Sequence, residues 1–492
     1  MRPFLLSVLL IVNFHVIGVN NDASKLTLEN THFKSASGIK VPAEVGTFKV
    51  PENRANPNTE EISIHFIRLK STNPNPSAPI FYLSGGPGAS STWQARDKHY
   101  LESWLPYLEL GDVVLVDQRG TGAGSERVLY LTNEDIPEDL FIDEKVQNDY
   151  FSKMKQDARA ALEQRGVDLA GYTTTENAKD LDALRHVLGY NKISLIGFSY
   201  GTHLGQAYLK YYGEQVENAV LVGVEGLNHT LKLPYAMDTH FRKIALMANA
   251  DPKVSKEVPD LMALYEKLIK KLEKEPITLE VNSPLTQKKM KVKIGAYALK
   301  MLLIYDIGDA SDLPVFPRLL YSIDQGDYSA LTWFMQKRIG NVYGIHGMAS
   351  TMDPASGATA SRRQVIKEQK ENSLFGELFG YEKDENWSTP DLGDAFRAPL
   401  ISNVRTLFMS GTLDFNTPPY QAEEVRWGFS NSSHIIVKNA GHEQVLTHPK
   451  ANEAIIRFLK GENVDEVTLT YPKLEFIPVK GKTGKLSHPA VK

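Results

Sequence analysis

The sequence predicts an α/β fold, a mostly parallel central sheet with a large, mainly helical insertion, and three observations carry that prediction. Compact apolar runs at Pro79–Leu83 (PIFYL), Asp112–Val116 (DVVLV), Ile193–Ile196 (ISLI) and Ala219–Val224 (AVLVGV) suit strands buried on both faces. Among them lies an amphipathic stretch, Glu176–Leu188, with Ala178, Leu181, Leu184, Val187 and Leu188 at helical spacing, so strands alternate with helices. The pattern lapses from about Leu227 to Pro399 and then returns at Val404–Ser410 and His434–Val437.

Taken in order, the chain begins with Arg2 and an apolar stretch from Phe4 to Val19 that turns polar at Asn20, Asn21 and Asp22. A positive start, a short apolar core and a small-residue exit predict a secretory signal over 1–23 and a secreted or periplasmic protein. A buried N-terminal helix is the competing reading. A stable membrane anchor is not expected, because a spanning helix needs about 20 cleaner apolar residues. Alternating segments at Lys25–Phe33, Gly46–Val50 and Ile62–Leu69 predict an antiparallel start to the sheet. Together they give a first core part over 24–226, a helical cap over 227–399, a second core part over 400–463 with a helix at Ala451–Leu459, and a strand-rich tail over 464–492.

Composition removes some chemistries. The 492 residues contain no cysteine, which excludes disulfides, thiolate metal sites and a cysteine nucleophile. Fifty-five Lys and Arg stand against 59 Asp and Glu, and no long single-sign run occurs, so nucleic acid is not an expected partner.

The chemistry concentrates around Gly197-Phe198-Ser199-Tyr200-Gly201, a G-x-S-x-G pattern placed after the apolar strand Ile193–Ile196 and before a helix at His203–Tyr212. A sharp strand-to-helix turn of that kind exposes a serine hydroxyl at the sheet's edge, which makes Ser199 the candidate nucleophile of an α/β-hydrolase fold. A serine hydroxyl needs a base, and in this fold the order is serine, acid, histidine. His442 follows the last strand and Asp414 follows the one before it, so they are the expected base and acid. His203 is the competing histidine and is expected to bond locally; Glu225 and Glu443 are reserve acids, and Asp414 could instead cap a turn. The backbone N–H groups of Gly86, in Ser84-Gly85-Gly86-Pro87-Gly88, and of Tyr200 are the expected oxyanion hole. No G-K-[ST] follows those glycines, so a phosphate loop is rejected. Asp117-Gln118-Arg119-Gly120-Thr121-Gly122 reads as a structural turn near the floor of the site.

The three glycine-bearing motifs, with Thr202 after the elbow and Tyr172-Thr173-Thr174, Asp180-Leu181-Asp182 and Leu184-Arg185 before it, together resemble the proline iminopeptidase / tripeptidyl aminopeptidase family over roughly Ile62–Gly226 and Val404–Leu459. Tyr200 after the serine resembles the secreted, tripeptidyl-releasing branch. The resemblance implies cleavage of short peptides from a free N-terminus, without metal or cofactor, and a carboxylate under the cap to hold the substrate ammonium. Glu225 is the first candidate for that anchor, with Asp306, Asp309 and Asp312 as others. An esterase or lactonase could use the same triad. A non-catalytic binding protein is the reading from another class, opposed by the intact Ser199, Asp414, His442 and Gly85–Gly88.

Overall fold

Along the buried strands, successive side chains go to opposite layers. Ile80 and Tyr82 join one hydrophobic layer, Phe81 and Leu83 the other; Val113 and Leu115 alternate with Val114 and Val116 in the same way. Runs such as PIFYL lack a polar face because helices cover both sides. The computed structural model describes residues 25–305, 312–379 and 386–480. The signal-like segment over 1–23, Asp306, Asp309 and the Lys-rich end of the tail lie outside the described residues.

The strands among the described residues are β1 (Leu26–Lys34), β2 (Lys40–Pro51), β3 (Glu61–Leu69), β4 (Ile80–Leu83), β5 (Val113–Val116), β6 (Leu129–Leu131) and β7 (Ile193–Phe198). They continue as β8 (Val216–Val222), β9 (Ile277–Asn282), β10 (Lys289–Ile294), β11 (Gly344–His346), β12 (Arg405–Gly411) and β13 (Ser432–Val437). Nine form one sheet in the order β1-β2-β3-β5-β4-β7-β8-β12-β13. The pairs from β1 to β5 are antiparallel, as the opening alternation predicts; every later pair is parallel. Gly46 pairs with Phe66, and a Cβ there would lie 2.1 Å from the Phe66 ring, so the glycine is the seat of that ring.

Helices Glu144–Gln164, Thr174–Val187 and Tyr200–Tyr212 cover one face, where Leu162, Leu184 and Leu204 meet Phe81, Leu195 and Leu221. Thr173 caps the second of these by accepting from the Glu176 N–H at 3.3 Å, with the glutamate three residues on. Helices Lys98–Trp104 and Ala451–Leu459 cover the other face.

A separate hydrophobic core fills the cap, built from helices Pro234–Asn249, Leu261–Lys274, Ala296–Tyr305, Phe316–Asp324 and Ser329–Ile339. The cap also holds a β9–β10 hairpin, which the helical expectation omitted. Ile136, Leu140 and Phe141, from ahead of the elbow, pack into this core, and so do Leu413 and Phe415. In contrast, Ile345, Met348 and Met352 of residues 344–356, with Trp387 and Phe396, pack on the sheet's own core. The strand-rich tail is not observed: among residues 464–480 the only pairing is one bridge, Lys438 to Thr470. Pro472 and Pro478 supply no N–H to a ladder, which stops the alternation VTLTYP from zipping onto β13. Among the described residues, no helix is long and apolar enough to cross a membrane.

Candidate active site

Ser199 stands where β7 becomes a helix, at φ 55° and ψ −124°. That backbone region costs a non-glycine residue of the order of 1–3 kcal/mol and persists only when its surroundings over-determine it. Here they do. The Ser199 N–H donates to the Val222 carbonyl at 2.9 Å, and the Ser199 carbonyl accepts from the N–H and hydroxyl of Thr202 at 2.8 and 2.7 Å. The flanking glycines are obligatory for space: a Cβ on Gly197 would sit 2.5 Å from the Gly201 oxygen, and one on Gly201 would sit 1.9 Å from the Leu83 oxygen.

Parallel strands bring the other expected residues to the same edge. Asp414 follows β12 and His442 follows β13, and the two strands are neighbours beside β8. Nδ1 of His442 lies 2.8 Å from Oδ2 of Asp414, with both residues buried. The Phe198 ring packs on the His442 imidazole with centroids 4.8 Å apart, which ties the residue before Ser199 to the histidine. Thr417 completes the arrangement. Its hydroxyl donates to Asp414 Oδ2 at 2.6 Å, its N–H donates to Oδ1 at 2.9 Å, and its oxygen lies 3.0 Å from His442 Nδ1. Burial alone would raise the Asp414 carboxyl; the facing His442 and the hydrogen bonds from His442 and Thr417 outweigh it and hold the group below the usual carboxylate range.

Gly223, at φ +64°, makes room for the imidazole: a Cβ there would lie 2.9 Å from His442 Cε1 and 3.1 Å from the Thr417 hydroxyl. Neither Thr417 nor Gly223 was named from sequence. A threonine three residues past the aspartate forms no motif, and Gly223 was absorbed into the apolar run AVLVGV, although β8 ends at Val222. Gly223→Ala is expected to lower kcat about 100-fold with little change in KM, since a misplacement of about 1 Å costs that much. Steady-state kinetics on the folded variant will read it.

The glycine loop after β4 lies against the serine. A Cβ on Gly85 would be 3.0 Å from Ser199 Cβ and 3.5 Å from its Oγ, and Gly86 sits at φ +111°. Gln118 holds the loop's shape: its Nε2 donates to the carbonyls of Ser84 at 3.0 Å and Gly85 at 3.3 Å, and its Oε1 accepts from the Gly88 N–H at 3.2 Å. Asp117 accepts from the N–H groups of Ser91 and Thr92 and from the hydroxyls of Ser90 and Thr92. The turn reading of this motif therefore acquires a specific object, the loop that carries Gly86. Tyr200 opens its helix, where the first N–H groups have no intrahelical partner.

A second polar cluster lies behind the elbow. His203 Nδ1 meets the Gly226 carbonyl at 3.2 Å, which can only accept, so Nδ1 carries the proton and Nε2 accepts from the Ser356 hydroxyl at 3.0 Å. His203 is thus bonded locally, as expected of it. Glu225 is buried and paired with Lys232. Burial pushes its carboxyl up, and Lys232 with the neighbouring histidines brings it below the ordinary value. Asp353, on helix Gly347–Ser356, goes the other way: burial and the like charge of Glu225 raise it well above the ordinary aspartate, with Lys232 opposing. The same helix touches the glycine loop and the residue after the serine. Met348 lies 3.4 Å from where a Gly88 Cβ would be, and Met352 accepts from the Tyr200 hydroxyl. Asp312 is buried in the cap region and pairs with Lys337 at 3.8 Å.

Sheet order, elbow and cap define an α/β-hydrolase-fold protein, and residues 78–264 match the family model described as alpha/beta hydrolase fold. Residues 373–468, which carry Asp414 and His442, match the model described as TAP-like protein. The chain resembles, over part of its length, the proline iminopeptidase / tripeptidyl aminopeptidase group that its motifs suggest. It is 27% identical over 193 residues to a tripeptidyl aminopeptidase of Streptomyces lividans, covering 37% of this chain and 35% of that protein. It is 29% identical over 202 residues to the serine protease Hip1 of Mycobacterium tuberculosis, covering 38% of this chain and 37% of that protein. The match thus spans little more than a third of these relatives. Among solved structures, a proline iminopeptidase-related protein from Thermus thermophilus aligns at 16% identity and TM-score 0.36, covering 85% of this chain and 97% of that one.

Proposed function

We propose that the chain is a serine exopeptidase that releases short peptides or single residues from the free N-terminus of peptide substrates. The observation that carries the hydrolase part is the hydrogen-bonded pair Asp414–His442, seated by Thr417, at the same sheet edge as a strained serine. In this reading Ser199 attacks the peptide carbonyl and His442 takes its proton. The backbone N–H groups of Gly86 and Tyr200 hold the oxyanion, and His442 then protonates the leaving amine. Asp414 fixes the imidazole tautomer and stabilises the imidazolium. Water repeats the cycle to free the peptide acid. Asp414 stays ionised well into acid, so loss of rate at low pH reports the base.

The aminopeptidase part rests on the TAP-like match and on the carboxylates behind the elbow. Glu225 and Asp353 face the same cation, Lys232, so the three groups together carry a net negative charge when both carboxyls ionise. A substrate ammonium is the complementary charge. Glu225 already has Lys232, which makes Asp353 the stronger anchor and Glu225 its partner. Residues 1–23 fit an export signal in this scheme, and N-terminal sequencing of the mature protein tests that.

Purified protein should turn over free-amine peptide anilides and leave N-acetylated ones; equal turnover of the two would overturn the exopeptidase reading in favour of an esterase or general acyl hydrolase. Asp353→Asn should raise KM for free-amine peptides about 30-fold, the low end of the cost of removing one partner of a charged contact, with kcat nearly unchanged. Because the folded pKa of Asp353 is raised, the wild-type KM should climb as pH falls through it, and the variant should lose that limb. The sign for stability is opposite: ionising Asp353 costs folding energy at neutral pH, so Asp353→Asn should melt about 1–3 °C higher.

A further inference from the structure

The loop that carries Asp414 is held from two directions. Its backbone leans on the loop that carries the base: the Leu413 N–H donates to the Ala440 carbonyl at 2.8 Å, and the Asn439 N–H donates to the Thr412 hydroxyl at 2.7 Å. A Cβ on Gly411 would sit 2.4 Å from the Ala440 oxygen. Its side chains belong to the cap. Leu413 and Phe415, on either side of Asp414, are buried in the cap's own core, whereas Ala440 and Val437 pack in a layer of the sheet. The Phe415 ring lies 5.8 Å from the His240 imidazole and shares the walls of one small cavity with Met237, Phe241, Ile244 and Phe316. That cavity is about 20 Å³, room for about one water, so the ring has little slack. Lys243, one turn beyond His240 on helix Pro234–Asn249, donates to the Thr412 carbonyl and ties the same helix to the loop from outside.

The aspartate that holds His442 at 2.8 Å thus stands between two residues fixed by the cap, while the base loop behind His442 is fixed by the sheet. Building on the acyl-transfer reading above, in which Asp414 orients the base, we infer that Phe415 and Lys243 are positioning residues for that reaction, acting through Asp414 and touching no substrate. The tolerance is narrow: a misplacement of about 1 Å costs about 100-fold, and losing a triad aspartate outright costs about 10⁴-fold. With the Phe415 ring truncated, the space it leaves lets Asp414 settle toward the cap, and the tautomer and orientation of His442 are no longer fixed. Phe415 carries the larger share, because a buried ring is held from several sides and Lys243 contributes one exposed hydrogen bond.

The test measures kcat and KM on free-amine peptide anilides and on a small activated ester. It also measures the rate of labelling by a fluorophosphonate, which needs the triad but no peptide. Phe415→Ala should lower kcat and the labelling rate about 30-fold each with KM within about twofold, and Phe415→Leu should recover most of the loss. In the Asp414→Asn background the same truncation should cost less than about threefold, because a residue that acts through Asp414 has nothing left to act on. Leu331→Ala, a truncation in the same core away from that cavity, should lower the melting temperature comparably while keeping both rates within about threefold of wild type. A folded Phe415→Ala with wild-type rates would overturn the proposal. So would a cost as large in the Asp414→Asn background as in wild type, or an equal loss of rate in Leu331→Ala. Should Phe415→Ala not fold, Lys243→Met, which leaves the core intact, decides: a fall of about fivefold in both rates, restored by Lys243→Arg, is expected, and unchanged rates would overturn it. Were peptides uncleaved while labelling and ester turnover behaved as stated, the exopeptidase reading would fall and the positioning would stand.

Discussion

Ser199→Ala is expected to lower kcat about 10⁶-fold and to abolish labelling by a fluorophosphonate probe, leaving only the catalysis supplied by binding and the oxyanion donors. The size follows from what the hydroxyl does: without it no acyl-enzyme forms, and the Asp414–His442 pair has no proton to accept. Substrate binding should survive, because Glu225, Asp353 and the Gly85–Gly88 loop are untouched. The backbone adds a second, independent readout. At φ 55° alanine is as strained as serine, whereas glycine adopts such angles without penalty. Ser199→Gly should therefore be as inactive as Ser199→Ala and melt higher than either it or wild type. Such a result would show strain being held at the elbow for the sake of the hydroxyl's position. Turnover within about tenfold of wild type in Ser199→Ala would remove Ser199 as the nucleophile.

The legible parts of the molecule are those whose physics is local. Four apolar runs announced central strands because little but Ser194 interrupts them, and the elbow was readable because its five-residue pattern stands directly between an apolar strand and a helix, although the contact that demands Gly201 is with the distant Leu83 carbonyl. Asp414 and His442 could be placed because parallel strands all end at one edge, so a residue just past each strand lands at the edge where the elbow stands. What escaped depends on distant packing. Helix Glu144–Gln164 buries only Gln147, Met154, Ala158 and Leu162 along 21 residues, too sparse a stripe to declare itself. The β9–β10 hairpin hides among lysines that face solvent. Thr417 matters only because Asp414 and His442 converge on it, and Asp353 only because helix Gly347–Ser356 is laid across the elbow from about 150 residues away in the chain.

The largest stability effect is expected at Arg119. Its side chain is fully buried, with Nε and Nη2 each 2.8 Å from the two oxygens of Asp180, a fork-to-fork pair. Nη1 donates to the carbonyls of Glu52 and Gly171 at 2.5 Å, and the backbone N–H donates to Asn177 Oδ1 at 3.0 Å. Asp180 also takes Arg54 at 2.7 Å, and Arg54 reaches on to Glu176. One guanidinium thus clamps the end of β2, the turn at Gly171 and helix Thr174–Val187 to the turn after β5. Removing it leaves Asp180 buried with half its partners and two carbonyls unpaired, which costs about 3–5 kcal/mol. Arg119→Ala should show that loss in urea unfolding. Arg119→Lys should recover only part of it, because an ammonium cannot span both carboxylate oxygens. The double variant Arg119→Met/Asp180→Leu should be more stable than Arg119→Met alone, because the buried carboxylate left with half its partners is gone while Arg54 keeps Glu176. Activity should fall with the clamp even in the fraction that stays folded. Gln118, the neighbouring residue, positions the glycine loop against Ser199, and its own position depends on the turn that Arg119 anchors.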